Sequence, residues 1–319
     1  MSVSQSLARS AWRNPPPEGD AWTVLHLVEW SSAYLEGKGV AEARLDAEHL
    51  LADTLGTERL NLYLDFDRPL TSGELARFKP RLLDRARRRP LQYILGRVPF
   101  RALELAVDSS VLIPRPETEE LVGAVLARVG RDAPAAGPSA LDIGTGSGAI
   151  ALSLAAEGDF GRILATDTSE AALDVARRNA RRNALDARVE FRQGDLFLPV
   201  AGCERFDVVV SNPPYVSREE FETLPPEVRL YEPREGLVAG EGGVAVLTRL
   251  VWGAHGVLVP GGLLAVEVGA GQARAVSESI RHAGGYAAPE VVRDLAGVER
   301  IVLARWQGMA GGAESEGRT

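Results

Sequence analysis

From Ala140 to Arg305 short apolar runs alternate with helical segments, and this succession restricts the possible folds more than any other property of the chain. The strand candidates are Ala140 to Ile143, Arg162 to Thr166, Val189 to Arg192, Phe206 to Val210, Gly262 to Val268, Glu290 to Arg293 and Arg300 to Arg305. Helical patterns lie between them, near Ala149 to Glu157, Glu170 to Ala184, Gly243 to His255 and Gln272 to Ala283. Strands buried on both faces read as continuous apolar runs, so the pattern predicts an α/β domain with a seven-stranded, mostly parallel sheet covered by helices on both sides.

In an open sheet of this kind ligands bind beyond the carboxyl ends of the strands. The first strand runs into Gly144-Thr145-Gly146-Ser147-Gly148, where glycines let the backbone approach a ligand and a helix N-terminus presents unpaired N–H groups. A glycine loop alone also fits a dinucleotide site. Its G-x-G-x-G spacing, with Asp142 just before it, shifts the balance toward a methyl-donor site. The second strand leads to Asp167, placed to accept the ribose hydroxyls of a nucleoside, a feature that NAD and S-adenosylmethionine sites share. The third leads to Gly194-Asp195-Leu196-Phe197: Asp195 is placed to accept from an adenine amino group, and Leu196 or Phe197 to pack on the ring. A helix cap or turn acid is the plainer reading of Asp195.

The fourth strand delivers Asn212-Pro213-Pro214-Tyr215. Read as local structure this is a turn. Read as chemistry, the Asn212 side-chain oxygen and the Pro213 carbonyl are two acceptors suited to a planar NH2 group, with Tyr215 beside its flat face. Holding such a nitrogen in line with a methyl donor, and stabilising the positive charge that develops on it, needs no strong general base.

The rest of the chain frames this core. Residues 1–20 carry Pro15-Pro16-Pro17 and read as a flexible leader, and 308–319 as a flexible tail. Residues 21–95 show apolar positions at helical spacing, including Val24, Leu25, Val28 and Leu35, then Leu45, His49, Leu50 and Leu51, and form a small all-helical domain. Residues 96–114 alternate as a linking β-hairpin, and 115–307 form the sheet domain, opening on Pro116 with Glu117, Glu119 and Glu120 in a first helical turn. The arginine-rich run from Arg81 to Arg101 reads as a solvated helix face. A net charge of −8 argues against broad attraction to nucleic acid. No membrane span or secretory pattern is visible, the single Cys203 lacks partners at metal spacing, and no metal site is expected. A cytoplasmic monomer is the expectation.

Several segments resemble the release factor glutamine methyltransferases (HemK/PrmC), a family of Rossmann-like class I methyltransferases. They are Pro90 to Gly96, Ile113-Pro114-Arg115-Pro116-Glu117-Thr118-Glu119, Asp142 to Ala151, Tyr231-Glu232-Pro233 and Arg293-Asp294 to Glu299-Arg300. Asn-Pro-Pro-Tyr by itself matches several amino-group methyltransferases, including those acting on adenine. The resemblance covers nearly the whole chain; an added leader and tail, and Gly236 where the family commonly has Ala, are its departures. It implies S-adenosylmethionine as methyl donor, S-adenosylhomocysteine as product, and the glutamine of the Gly-Gly-Gln loop of peptide chain release factors as substrate, with the helical domain helping to dock that protein. Catalytic roles are then expected of Asn212, Pro213 and Tyr215, substrate contacts of these and Pro214, and cofactor contacts of Gly144, Thr145, Gly146, Ser147, Gly148, Asp167, Asp195, Leu196 and Asn212. The rival readings are a methyltransferase acting on a nucleic-acid base and a nucleotide-binding oxidoreductase or non-catalytic Rossmann module.

Overall fold

A computed structural model of the chain describes residues 21–129, 137–240 and 243–308. The leader and tail expected at its ends lie outside these residues, apart from Gly308. The chain divides into two compact units, one ending at Leu95 and one beginning at Gly96, so the hairpin belongs to the second.

The first unit is built on helices Val24–Glu36, Ala43–Leu55 and Ser72–Ala86. Thr23 caps the first, accepting from the His26 N–H, and Thr71 and Glu74 form a reciprocal capping box on the third. Val24, Leu27, Val28, Ser31 and Leu35 follow helical spacing and turn inward onto Leu50, Leu51, Phe78 and Leu82. Each such fully buried apolar side chain contributes about 1.5–3 kcal/mol of transfer free energy. Leu45, expected on the inner face, is exposed. Part of the arginine-rich run is spent inside the unit: Arg85 donates to buried Asp46 at 2.6 Å, and Arg81 pairs with Asp53.

The second unit opens with the antiparallel hairpin β1 (Arg97–Phe100) and β2 (Leu103–Ala106), followed by helix Pro116–Val129. Its sheet comprises β3 (Ser139–Ile143), β4 (Arg162–Asp167), β5 (Val189–Gln193), β6 (Phe206–Ser211), β7 (Leu258–Glu267), β8 (Glu290–Arg293) and β9 (Glu299–Arg305). The spatial order is β5-β4-β3-β6-β7-β9-β8; β5, β4, β3, β6 and β7 are parallel, and β9 runs antiparallel to both β7 and β8. The order reverses between β3 and β6, and their ends carry the glycine loop and Asn212.

Strand β7 starts earlier than the sequence pattern suggests. Leu258 pairs with Phe206, and the ladder then resumes at Leu263 opposite Val208. Pro260, which has no N–H, and Gly261, at φ +85°, absorb the shift. The stretch after Tyr215 also holds two short helices, Arg218–Thr223 and Pro226–Tyr231, the first closed by a Ser217/Glu220 capping box. Leu141, Leu164, Phe206, Val209, Leu264 and Val302 are buried together in one of the sheet's core clusters.

Candidate active site

The loops beyond β3, β4, β5 and β6 surround a cleft of about 500 Å³. Gly144 at φ +73° and Gly146 at φ +54° line it, and a Cβ added at either would meet no protein atom within 4 Å. The backbone there is bare on the side a ligand would approach. Thr145 and Ser147 also line the cleft, whereas Gly148 lies behind it at the start of helix Ala149–Glu157.

Two acids hold the glycine loop. Asp142 is fully buried; its Oδ2 accepts from Thr145 Oγ1 at 2.6 Å and from the Ala151 N–H at 3.2 Å. Burial pushes its carboxyl up to about 7, against the pull of those two hydrogen bonds. Asp142 thus fastens the loop from below. Asp167 lines the cleft, accepting from the Gly146 N–H and the Ser169 N–H, both at 2.9 Å, and burial raises its pKa as well. Gly146 is therefore tied to the same carboxylate expected to meet a ribose. Behind the loop, buried Asn179 donates to the carbonyls of Ser147 and Ala106 and accepts from the Ala106 N–H, joining it to the hairpin.

At the end of β5 the two aromatic-or-aliphatic candidates separate. Leu196, at φ +48°, lines the cleft, while Phe197 packs on Gly253 and the sheet core. Asp195 lines the cleft and is paired with Arg249 at 2.5 Å. An adenine amino group would share that carboxylate with the guanidinium.

Asn212, Pro213 and Pro214 line the cleft; Tyr215 does not. Its ring packs, partly buried, against the core, and its hydroxyl donates to Glu267 Oε1 at 3.3 Å. Asn212 Nδ2 donates to Thr118 Oγ1 at 2.9 Å, and the Thr118 hydroxyl donates to Glu267 Oε2 at 2.7 Å. Glu267, at the end of β7, is 1% exposed, and burial lifts its carboxyl to about 7. Neighbouring Glu117 pushes it the same way, while Thr118, Tyr215 and Arg300 oppose the rise.

Asp142 and Glu267 bind protons more readily folded than unfolded. Their contribution to stability is fully present below the ordinary carboxylate range and is lost as pH rises through about 7. Calorimetric melting of the ligand-free protein across that interval is expected to show a fall in midpoint that Glu267→Gln reduces. An unchanged fall in the variant would contradict the assignment.

Arg115 pairs with buried Glu232 at 2.5 Å, and Glu232 also accepts from the Ile113 N–H at 3.1 Å. Glu119 accepts from the Arg101 N–H at 2.9 Å. Arg115 and Glu119 thus brace the chain around the cleft. Thr118 and Glu232 fall within segments that carry the family resemblance, but no role follows for them from the sequence alone; Glu267, a lone acid closing an apolar run, and Asn179 belong to no such segment.

The sheet order, the bare glycine loop and the acids at successive strand ends define a class I methyltransferase that uses S-adenosylmethionine. Family models agree: PrmC N-terminal domain matches residues 26–96 and methyltransferase small domain matches residues 125–225. The chain is 42% identical to the release factor glutamine methyltransferase of Geobacter sulfurreducens, over 90% of this chain and 98% of that one. It is 38% identical to that of Rhodopirellula baltica, over 88% and 95%. The chain belongs to the release factor glutamine methyltransferase family. Among solved structures, the hMettl16 catalytic domain in complex with an MAT2A 3'UTR hairpin shares the fold at a TM-score of 0.53 and 18% identity, covering 72% of this chain and 81% of that one.

Proposed function

We propose that this protein methylates the side-chain amide nitrogen, N5, of the glutamine in the Gly-Gly-Gln loop of peptide chain release factors. The observation that carries the chemistry is Asn212: its NH2 group is taken up by Thr118, which leaves its side-chain oxygen for a planar NH2 in the cleft. Family membership supports glutamine as the bearer of that group.

The cleft fits S-adenosylmethionine. Gly144 and Gly146 leave room along the loop, Asp167 suits the ribose hydroxyls, and Asp195 and Leu196 suit the adenine. When bound, the cofactor supplies a methyl group activated by a sulfonium. The chain does the rest by positioning. An amide nitrogen is a poor nucleophile because its lone pair is delocalised. Asn212 and the Pro213 carbonyl, which lies just beyond β6, accept its hydrogens, orient its lone pair and stabilise the charge that develops on nitrogen. Pro214 lines the cleft beside them, and Tyr215 braces the segment through Glu267.

Kinship with release factor glutamine methyltransferases supports work in the cytoplasm, alongside release factors. Among the described residues no helix is long and apolar enough to cross a membrane. The net charge of −8 supports a protein rather than a nucleic acid as substrate. Incubation with labelled S-adenosylmethionine and, separately, release factor, tRNA, rRNA and DNA is expected to label the release factor. Label on a nucleic acid but not on the release factor would overturn the proposal.

A further inference from the structure

The hydrogen-bond chain behind Asn212 contains more information than its distances. A threonine hydroxyl has one hydrogen and two lone pairs. Thr118 gives that hydrogen to Glu267 Oε2 at 2.7 Å, so it can only accept from Asn212, and an acceptor requires the NH2 end of the amide. The asparagine oxygen is then forced to the other side. Thr118 and Asn212 line the cleft, while Glu267 is buried behind it. The carboxylate therefore sets which end of Asn212 is offered, without touching anything in the cleft itself.

We propose that Thr118 and Glu267 are positioning residues for methyl transfer: ionised Glu267 holds the Thr118 hydroxyl proton, and Thr118 in turn locks Asn212 with its carbonyl oxygen facing the substrate. The proposal rests on the reading of Asn212 as the holder of the substrate NH2. Protonation of Glu267 reverses the chain. The carboxylic acid donates to Thr118, the threonine hydrogen is released toward the asparagine oxygen, and Asn212 turns its NH2 to the cleft, where it repels the substrate NH2.

The groups that set this proton's affinity come from each neighbouring element. Glu117 from helix Pro116–Val129 raises it, and Arg300 from β9 lowers it. Thr118, from the same helix, and Tyr215, from the loop after β6, lower it through their hydrogen bonds. Burial outweighs these opposing influences and brings the acid to about 7, within the working range of an enzyme. The active arrangement is present above that pH and is lost as pH falls through it.

The test uses the full-length protein, S-adenosylmethionine and a release factor. With both substrates saturating, kcat of the wild type is expected to rise with pH through about 7. Thr118→Val keeps the shape of the side chain but removes the hydroxyl, and is expected to lower kcat by about tenfold to 100-fold, the cost of leaving a buried partner unmatched. Cofactor affinity, read by calorimetry, is expected to stay within about threefold of wild type, since none of the lost bonds reaches Asp167 or Asp195. Thr118→Ser is expected to recover most of the lost rate. Glu267→Gln is expected to be slow and to lose the acid limb of the profile, because its NH2 can donate to Thr118 at every pH. Three results would overturn the proposal: Thr118→Val at the wild-type rate, valine and serine variants equally slow, or the acid limb unchanged in Glu267→Gln. Asn212→Ala separates this from failure of the underlying reading. A slow Asn212→Ala beside a normal Thr118→Val removes only the relay, whereas a normal Asn212→Ala removes both.

Discussion

Asn212→Ala is expected to lower methyl transfer to a release factor by about 100-fold or more, the loss seen when one preorganised charge-stabilising group is removed from a site. Cofactor affinity should change little. The asymmetry follows from where the residue sits. Asn212 is at the end of β6, hydrogen-bonded to Thr118 on helix Pro116–Val129, while the glycine loop is held independently by Asp142 and Asp167. Truncation removes an oxygen that accepts from the reacting NH2 and leaves Thr118 with a lost donor but an intact bond to Glu267. The measurement is kcat against the dissociation constant of S-adenosylmethionine, determined separately. Turnover near the wild-type rate would remove Asn212 from the chemistry.

Asp167→Ala is expected to do the reverse, weakening S-adenosylmethionine binding by about 100-fold or more, since hydrogen bonds to a charged acceptor are each worth about 1.5–3 kcal/mol. Two effects combine. The ribose hydroxyls lose their acceptor, and Gly146, whose N–H is now bound to Asp167 at 2.9 Å, loses the tie that sets the loop. The ligand-free protein should nevertheless melt near the wild-type temperature. Burial raises the pKa of Asp167, so its ionised form carries a desolvation cost that the alanine variant is spared, offsetting part of the lost bonds to Gly146 and Ser169. Calorimetric titration with the cofactor, paired with melting curves, checks both halves. Wild-type affinity in the variant would show that Asp167 serves the loop alone.

The parts of the fold visible in the sequence were those encoded locally. Runs such as Phe206 to Val210 are apolar because both faces of β6 are covered, and Pro116 with its acids marks a helix start that the structure places at the same residue. The glycine loop, Asp167, Asp195, Leu196 and Asn212 converge on one cleft because each follows a parallel strand. What stayed hidden depends on distant pairing. Thr118 and Glu267 meet only because helix Pro116–Val129 packs beside β7, and no spacing along the chain encodes that. The same holds for Arg115 with Glu232. Leu196 and Phe197 were indistinguishable as apolar neighbours until the turn at Leu196 sent one to the cleft and the other to Gly253. Helices Arg218–Thr223 and Pro226–Tyr231 are too short to show apolar periodicity, although Ser217-x-x-Glu220 is a readable capping signal.

The most direct test of the central claim is tandem mass spectrometry of a release factor treated with this protein and S-adenosylmethionine. The expected result is one added methyl group on the side chain of the glutamine in the Gly-Gly-Gln loop, present with the wild-type protein and strongly reduced with Asn212→Ala. A methyl group on any other residue, or an unmodified release factor under conditions in which the protein methylates a nucleic acid, would contradict the account.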